Sequence, residues 1–183
     1  MIQAITNIDL AILEAIQGIK CAFLDFLVPL ITKFGDGGIF WIALAVIFLI
    51  FKKTRKMGLA MGMALIFGLV VGNLTLKPLV ARIRPYDLAG YEAIRDALLV
   101  SPLKDFSFPS GHTLASFEGA TAIFMFNKKW GIGALVLASL VALSRLYLFV
   151  HYPTDVLVGL ILGVTFGICG ALLSKLIFKK FER

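Results

Sequence analysis

The chain has few charged residues for its length. Of its 183 residues, 16% are Asp, Glu, Lys or Arg, whereas 60% are hydrophobic. A soluble domain carries about 25% charged residues and needs that polar surface to face water, so the composition excludes an ordinary soluble protein. It predicts an all-α integral membrane protein that forms a single domain over residues 1–183. The net charge of +7 does not indicate a nucleic-acid partner, because the basic residues follow the membrane topology described below.

Cysteine is also scarce. Cys21 and Cys169 are far apart and lack the spacing of a metal site, so we expect both to be ordinary apolar packing residues. The start of the chain lacks the basic segment, short apolar core and small-residue cleavage site of a signal peptide. We therefore expect the mature protein to begin at or near Met1.

Long apolar runs are what the chain has in abundance. A helix that spans a bilayer needs about 20 residues, with a range near 17–25. The runs predict a bundle of five to six transmembrane helices, with spans at 37–53, 57–77, 113–127, 131–149 and 155–178. The run 113–127 is short for a span, so we expect its helix to start earlier or to continue beyond it.

Residues 1–34 precede these runs and have a different pattern. Isoleucines at positions 5, 8, 12 and 16 form one helical stripe, which is typical of a helix that lies in the membrane interface. Residues 22–34 predict a second short helix of about 20 Å, too short to span comfortably. We favour two interfacial helices on the side of the candidate site, and a sixth, tilted span is the alternative.

The basic residues divide between the two sides of the predicted bundle. The positive-inside rule assigns the side with most of them to the cytoplasm, which predicts a multi-pass cell-membrane protein with a cytoplasmic C-terminus and an external loop 78–109. Ten of the 18 basic residues fall on the cytoplasmic side: Lys52, Lys53, Arg55, Lys56, Lys128, Lys129, Lys175, Lys179, Lys180 and Arg183. Six fall on the external side: Lys77, Arg82, Arg84, Arg95, Lys104 and Arg145.

Ionisable side chains gather at the external ends of four predicted helices. A charge at a helix centre costs about 2.5–3.5 kcal/mol and less near the ends, so several charges at one depth indicate a functional site. Three cations and two histidines with one carboxylate favour an anionic ligand. Two histidines and an aspartate could instead bind zinc, but the nearby cations would repel it, so we expect no metal ion and no other cofactor. The six residues are Lys77, Arg84, His112, Arg145, His151 and Asp155.

The stretch "PSGH" begins at Pro109 and directly precedes an apolar run. This position puts the backbone N–H groups of Ser110, Gly111 and His112 at a helix N-terminus, where the helix dipole favours an anion. Gly111 also lets the backbone approach a ligand closely. Lys77 and Arg84 are seven residues apart and would face the same way on a continuous helix, although prolines follow both residues.

His151 and Asp155 stand four residues apart across "HYPTD", where Pro153 suits the first turn of a helix. An aspartate beside a histidine can hold one ring nitrogen as N–H and leave the other free to attack. A helix cap or a buried hydrogen bond is the alternative for this pair. Within the spans, we expect Glu118 to point away from His112 and to pair with a cation of a neighbouring helix. Asn73 shares a face with Lys77, where it either orients that residue or makes a packing contact between helices.

Three motifs in this order resemble the type 2 phosphatidic acid phosphatases, which share their active-site pattern with vanadium haloperoxidases. The motifs are "KPLVARIRP" from Lys77, "PSGH" from Pro109 and "SRLYLFVHYPTD" from Ser144. They fit the family patterns K-x-x-x-x-x-x-R-P, P-S-G-H and S-R-x-x-x-x-x-H-x-x-x-D without a substitution. The resemblance covers residues 37–178.

The resemblance implies a membrane-embedded lipid phosphatase and a role for each matching residue. His151 would be the nucleophile that forms a phosphohistidine, Asp155 would orient it, and His112 would be the general acid for the leaving group. The phosphate oxygens would be held by Lys77, Arg84, Ser110, Gly111 and Arg145. The substrate, a lipid phosphate or diphosphate of the bilayer, would be undecaprenyl diphosphate, phosphatidylglycerophosphate or phosphatidate.

Among these substrates we favour undecaprenyl diphosphate, because recycling of that carrier needs an external site. A family branch dedicated to it often carries Asp at the position of Gly111 and lacks the lysine of the first motif, so this sequence departs from that branch and a broader lipid phosphatase is the alternative. A transporter or flippase of an anionic lipid could use the same basic site but would not need a nucleophile with an aspartate partner. The predicted spans argue against a soluble haloperoxidase, and a purely structural protein would leave the buried charges unexplained.

Overall fold

The computed structural model describes residues 2–181, and it consists in that range of helices and connecting loops without a β-strand. The prediction of an all-α protein is confirmed. Met1 and Arg183, on which the expected chain start and one of the cytoplasmic charges rest, lie outside the described residues. The helices are α1 (Ile2–Gln17), α2 (Ala22–Thr32), α3 (Ile39–Ile50), α4 (Arg55–Phe67), α5 (Lys77–Val80), α6 (Glu92–Asp96), α7 (Gly111–Phe124), α8 (Lys128–Tyr147) and α9 (Pro153–Phe181).

Helix α7 lies at the centre of the bundle and packs against α8 and α9, while α4 packs against α9 and α3 against α4. Glycines on α9 allow its close approach to α7: a Cβ atom on Gly163 would lie 2.7 Å from Cβ of Phe117. On the side of α3, a Cβ atom on Gly119 of α7 would lie 2.3 Å from Cε3 of Trp41. The indole N–H of Trp41 donates to Ser116 Oγ at 3.0 Å. The helix starts two residues before the predicted run 113–127 and ends at Phe124. Most of its 14 residues are buried by the neighbouring helices.

Four segments of the described chain are long and apolar enough to cross a membrane. They correspond to four of the five predicted spans, and α7 is too short to be one of them. The first segment contains residues 22–34, which the sequence had suggested as a separate interfacial helix; in the structure α2 leads into α3 through the 3₁₀ turn Lys33–Gly38. The count of five to six spans stays a prediction. The four segments are Ala22–Ile50, Arg55–Asp87, Lys128–Tyr147 and Pro153–Lys180.

The helix that leads to the first motif ends at α5. A π-helical stretch, Gly68–Leu76, joins α4 to α5, and Ala81 then adopts left-handed backbone angles with φ of 48°. Arg84 follows in an extended conformation, as expected for a residue before a proline. Lys77 and Arg84 therefore do not share one continuous helix, in line with the prolines that follow both residues, and helical spacing does not align them.

Helix α1 packs against α8 and α9 at the end of the bundle that carries the three motifs. Its inner face buries Asp9 and Leu13, whereas Ile5, Ile8 and Ile12 are exposed. Ile16, the fourth residue of the isoleucine stripe, is partly buried against the core, whereas the other three point away from the protein. This is the surface that a helix in the membrane interface would offer to lipid, and that location of α1 stays a prediction.

Candidate active site

All eight predicted site residues lie at one end of the bundle, because the ends of α5, α7, α8 and α9 meet there. The starts of α7 and α9 are joined directly: the N–H of Ser110 donates to the carbonyl oxygen of Asp155 at 3.2 Å. Pro153 is the first residue of α9, as predicted. The convergence of these helix ends is what makes residues far apart in sequence neighbours in space.

His151 is buried, and its Nε2 atom faces the guanidinium of Arg84. Nη1 of Arg84 lies 3.2 Å from Nε2 and also donates to the carbonyl oxygen of Val150 at 2.7 Å. A guanidinium only donates hydrogen bonds, so Nε2 must accept, and the proton of the neutral ring must be on Nδ1. The contact with Arg84 therefore selects one tautomer of His151.

The surroundings of His151 also keep its ring neutral. Burial lowers the pKa of His151 to about 3; Asp155 opposes this shift, while the charges of Arg84 and Arg145 add to it. The lone pair of Nε2 is consequently available at neutral pH, which a nucleophilic or basic histidine requires.

The predicted partner of His151, Asp155, is present but is not in close contact with the ring. Nδ1 of His151 and Oδ2 of Asp155 are 3.5 Å apart, which is long for a hydrogen bond. Ser107 Oγ contacts both groups: it lies 2.5 Å from Asp155 Oδ2 and 3.4 Å from Nδ1. Ser107, which lies two residues before the "PSGH" motif, was not among the predicted site residues.

A second arginine, Arg82, fixes the other oxygen of Asp155. Its Nη1 donates to Asp155 Oδ1 and to Thr154 Oγ1, both at 2.7 Å, and its Nη2 donates to Asp9 Oδ2 at 2.8 Å. The guanidinium also stacks over the ring of Tyr152, 3.7 Å from the centroid. From the sequence, Arg82 was only one of six external cations, and nothing in the sequence pointed to Asp9 of α1 as its partner.

The first-motif cations Lys77 and Arg84 meet at the carboxylate of Asp105. Nζ of Lys77 donates to Oδ2, and Nη2 of Arg84 donates to Oδ1 at 2.7 Å. Partial burial raises the pKa of Asp105, but the two cations outweigh that effect and lower the pKa to about 2. Both cations are buried, whereas the side chain of Asp105 is 52% exposed. Asp105 was not among the predicted site residues.

The "PSGH" motif starts α7, as the sequence predicts. Ser110 is the N-cap, and its Oγ accepts hydrogen bonds from the backbone N–H and the hydroxyl of Thr113. Gly111 faces the first motif, because a Cβ atom on it would lie 3.2 Å from Oδ1 of Asn73 and 4.0 Å from Nζ of Lys77. The structure thus brings Asn73 and Lys77 to the same place beside the helix N-terminus.

His112 contacts the turn between α2 and α3. Its Nε2 lies 2.8 Å from Oδ1 of Asp36, and a Cβ atom on Gly35 would lie 2.6 Å from Cδ2 of the ring. Gly37, with φ of 56°, supplies the left-handed backbone that this turn needs. Asp36 was not among the predicted site residues.

Arg145 lies with His112 on the wall of a cavity of about 870 Å³. The guanidinium is buried, and its Nη1 donates to Thr32 Oγ1. Its Nε has no hydrogen-bond partner among residues 2–181. A buried charged donor without an acceptor is costly, so this N–H is suited to an anion that enters the cavity.

One predicted interaction is wrong. Glu118 is buried, but no ion pair to it occurs within the described part of the chain, and its Oε1 has no hydrogen-bond partner there. The carboxyl packs against Gly68, where a Cβ atom would lie 2.0 Å from Oε1. The helix contact brings a glycine rather than a cation to this position. In residues 2–181 no three His, Cys, Asp or Glu side chains are grouped so that they could hold a metal ion.

Comparisons with known proteins identify the family of the chain. A family model described as the PAP2 superfamily matches residues 53–180. The undecaprenyl-diphosphatase of Sulfolobus acidocaldarius is 34% identical over 146 residues, which are 79% of this chain and 68% of that protein.

Two solved structures are similar over most of the chain. Aquifex aeolicus LpxE has a TM-score of 0.76 at 28% identity, with 88% of this chain and 93% of that chain covered. The transmembrane PAP2-type phosphatidylglycerolphosphate phosphatase of Bacillus subtilis has a TM-score of 0.74 at 29% identity, with 98% and 89% covered. Together with the four apolar segments, these relatives support a multi-pass membrane protein. The family match and the three motifs lead to one conclusion: the chain belongs to the PAP2 superfamily.

Proposed function

We propose that this protein hydrolyses a lipid phosphate or diphosphate at the external face of a cell membrane, through a phosphohistidine on His151 and without a metal ion. The observation that carries the proposal is the buried, neutral His151, whose Nε2 lies 3.2 Å from Arg84. A nucleophile beside a fixed cation suits an anionic phosphoryl group, since the same arginine that binds the phosphate brings it to the attacking nitrogen.

In the first step, Nε2 of His151 attacks the terminal phosphorus, an N–P bond forms, and the P–O bond to the lipid breaks. His112 gives a proton to the leaving oxygen. In the second step, His112 takes a proton from water, the water oxygen attacks phosphorus, and the N–P bond breaks. One water is consumed, one phosphate is released, and both histidines return to their starting states.

Positive charge and helix N–H groups stabilise the phosphoryl oxygens in this scheme. Lys77, Arg84 and Arg145 supply the charge, and the start of α7 at Gly111 supplies backbone N–H groups. Phosphoryl transfer depends mainly on positioning and on stabilisation of developing negative charge. Cations and N–H groups therefore take the part that magnesium has in other phosphoryl-transfer enzymes. Asp155 stabilises the positive ring that His151 becomes after attack.

Undecaprenyl diphosphate is the substrate that we rank first. The similarity to an undecaprenyl-diphosphatase over 79% of the chain supports this choice, and the similarity to a phosphatidylglycerolphosphate phosphatase supports the alternative of a broader lipid phosphatase. Both substrates, undecaprenyl diphosphate and phosphatidylglycerophosphate, are amphiphiles whose chain can stay in the bilayer while the phosphate enters a site at a helix end.

A substrate panel tests the proposal directly. Phosphate release by the purified protein in detergent would be measured with undecaprenyl diphosphate, phosphatidylglycerophosphate and phosphatidate, beside the variant His151→Ala. We expect wild-type turnover that is fastest with the diphosphate, no turnover by the variant, and a phosphohistidine that can be trapped after rapid quenching. Transport of an anionic lipid in vesicles without phosphate release would instead favour a transporter.

The external face is supported by the distribution of basic residues, and the interfacial placement of α1 by its exposed isoleucines. Single cysteines would be introduced in loop 86–108 and in residues 52–56, in a background without Cys21 and Cys169. An impermeant reagent on intact cells should label the first position and not the second. The reverse labelling would contradict the proposed orientation.

A further inference from the structure

Two of the residues that we assign to phosphate binding are already occupied by an anion of the protein itself. Oδ2 of Asp105 accepts from Lys77, and Oδ1 accepts from Arg84 at 2.7 Å. The carboxylate thus offers two oxygens to two cations, which is how a phosphate would also bind them. Nη1 of the same guanidinium lies beside Nε2 of His151, so the carboxylate sits next to the reacting centre.

Asp105 is ionised under all conditions in which the protein would work. Its pKa is lowered to about 2 because Lys77 and Arg84 outweigh the effect of partial burial. Neutralisation by protonation therefore does not remove it from the cations at neutral pH. An arriving phosphate has to displace a full negative charge or share its partners with it.

The position of Asp105 allows such a displacement. It lies in the helix-free loop 101–110, and its side chain is about half exposed, at 52%. The backbone carbonyl of Asp105 accepts separately from Nε of Arg84 at 2.9 Å. Arg84 therefore keeps this hydrogen bond to the loop when the carboxylate rotates away. The side chains of Lys77 and Arg84, in contrast, are buried and have no solvent-exposed position to rotate into.

We propose that Asp105 is an intramolecular competitor of the phosphate group, and that its carboxylate weakens the binding of substrate phosphate and of released phosphate at Lys77 and Arg84. The inference rests on the proposed function, because that function makes these two cations phosphate ligands. Its consequence is specific. Free phosphate can bind only to the phosphate-binding residues, so it is held weakly and leaves after hydrolysis. A lipid overcomes the same competition with the binding of its chain.

The test is the affinity for inorganic phosphate, measured by isothermal titration calorimetry on the full-length protein in detergent at pH 7. Asp105→Asn keeps the size of the side chain and removes its charge. Hydrogen bonds to charged groups are among the stronger ones, but half of this side chain faces solvent, so we expect phosphate to bind about tenfold more tightly, which corresponds to about 1.4 kcal/mol. Asp105→Ala should show the same direction.

A matched control separates competition from a general change in surface charge. Glu14→Gln removes one negative charge from the same end of the protein, where Glu14 accepts a hydrogen bond from the hydroxyl of Tyr91 and not from Lys77 or Arg84. We expect it to change the phosphate affinity less than about twofold by screened long-range electrostatics. An increase as large as that of Asp105→Asn would overturn the inference.

Other outcomes are equally decisive. Unchanged or weaker phosphate binding by both Asp105 variants, with melting temperatures like that of the wild type, would show that Asp105 positions the cations and does not compete. Absence of phosphate binding by wild type and variants alike would also overturn the inference. Tighter binding by the variants, with no hydrolysis of any lipid phosphate by the wild type, would support the competition while contradicting the proposed function.

Discussion

Nη1 of Arg84 lies 3.2 Å from Nε2 of His151, and the same nitrogen donates to the carbonyl oxygen of Val150 at 2.7 Å. One guanidinium group thereby orients the ring of the proposed nucleophile, selects its tautomer and supplies positive charge where the phosphoryl group must bind. A planar donor group with several fixed N–H directions can do all three, whereas an ammonium group on a flexible chain cannot.

We therefore expect Arg84→Lys to be severely impaired although it keeps the charge. Lysine cannot contact Val150, Asp105 and His151 together, so kcat/KM for the lipid substrate should fall by at least about 10²-fold, the effect of a small misplacement at the reacting atoms. Arg55→Lys, a change at an exposed arginine outside the site, is the control and should stay within about twofold. Near-normal activity of Arg84→Lys would show that charge alone suffices.

The N-terminal helix is predicted to support catalysis through Asp9. This buried carboxylate accepts from Arg82 Nη2 at 2.8 Å and from the N–H of Thr154 at 3.1 Å, and Arg82 in turn holds Asp155. Asp9→Asn should lower kcat about tenfold or more with little change in KM, because it loosens the orientation of His151 without touching the substrate.

Glu14→Gln is the matched control for this experiment, since Glu14 lies on the same helix and accepts from the hydroxyl of Tyr91, remote from Asp155. It should leave kcat unchanged. If Asp9→Asn and Glu14→Gln lower kcat equally, α1 contributes only to folding.

The sequence predicted the residues at the centre of the site better than those around them. Lys77, His112 and His151 stand at helix ends, where both charge and motif spacing draw attention to them. The partners Asp9, Asp36 and Asp105 lie 28 to 76 residues away in sequence from Arg82, His112 and Lys77, the groups that they respectively contact. An acidic residue in a loop or on an amphipathic helix has no periodicity or spacing that would distinguish it from a solvated surface charge.

The helices were also predicted only in part from the sequence. Apolar length predicted four of the spans well, because burial in lipid needs a fixed number of apolar residues. At α7 the short run 113–127 indicated a helix that starts earlier or continues further, and the structure has a helix of 14 residues that starts at Gly111; whether it spans the membrane stays a prediction. Apolar length does not predict the left-handed turn at Ala81, since alanine carries no sign of such a turn.

Asp36 should affect the step that needs an acid. Its carboxylate lies 2.8 Å from Nε2 of His112 and stabilises the protonated ring that would donate to the leaving group. Asp36→Asn should slow phosphoenzyme formation about tenfold with alkyl phosphates, whose leaving groups need a proton, and much less with aryl phosphates of low leaving-group pKa. Rapid-quench measurements of the phosphoenzyme would follow this step.

Asp25→Asn is the control for that measurement, because Asp25 is a carboxylate of the neighbouring helix α2 that accepts from the hydroxyl of Tyr147 at 2.7 Å. It should leave both substrate classes unaffected. An equal loss with alkyl and aryl phosphates in Asp36→Asn would contradict a role in leaving-group protonation.

Activity should not depend on an added metal ion. Lys77, Arg84, Arg145 and the N-terminus of α7 carry the charge stabilisation in the proposed mechanism, so turnover should persist in excess chelator. Orthovanadate, which can mimic five-coordinate phosphorus bound to a histidine, should inhibit. Loss of activity in chelator that magnesium or zinc restores would contradict the mechanism.

The buried neutral state of His151 predicts how stability depends on pH. The folded protein holds the pKa of His151 at about 3, whereas the unfolded chain has a value near 6.5. Between these values the unfolded state binds more protons, so stability falls as the pH falls, by at most about 1.4 kcal/mol per pH unit for this group.

A comparison of wild type with His151→Gln isolates that contribution. Glutamine can still accept a hydrogen bond from Arg84 but does not titrate, and Asp105, whose pKa is about 2, contributes nothing to the difference because both proteins carry it. We expect the melting temperature in detergent to fall more for wild type than for His151→Gln when the pH is lowered from 7 to 5, with a differential loss of about 2 kcal/mol. Parallel losses in the two proteins would mean that His151 takes up a proton as readily in the folded as in the unfolded state, which would contradict a ring kept neutral by its surroundings.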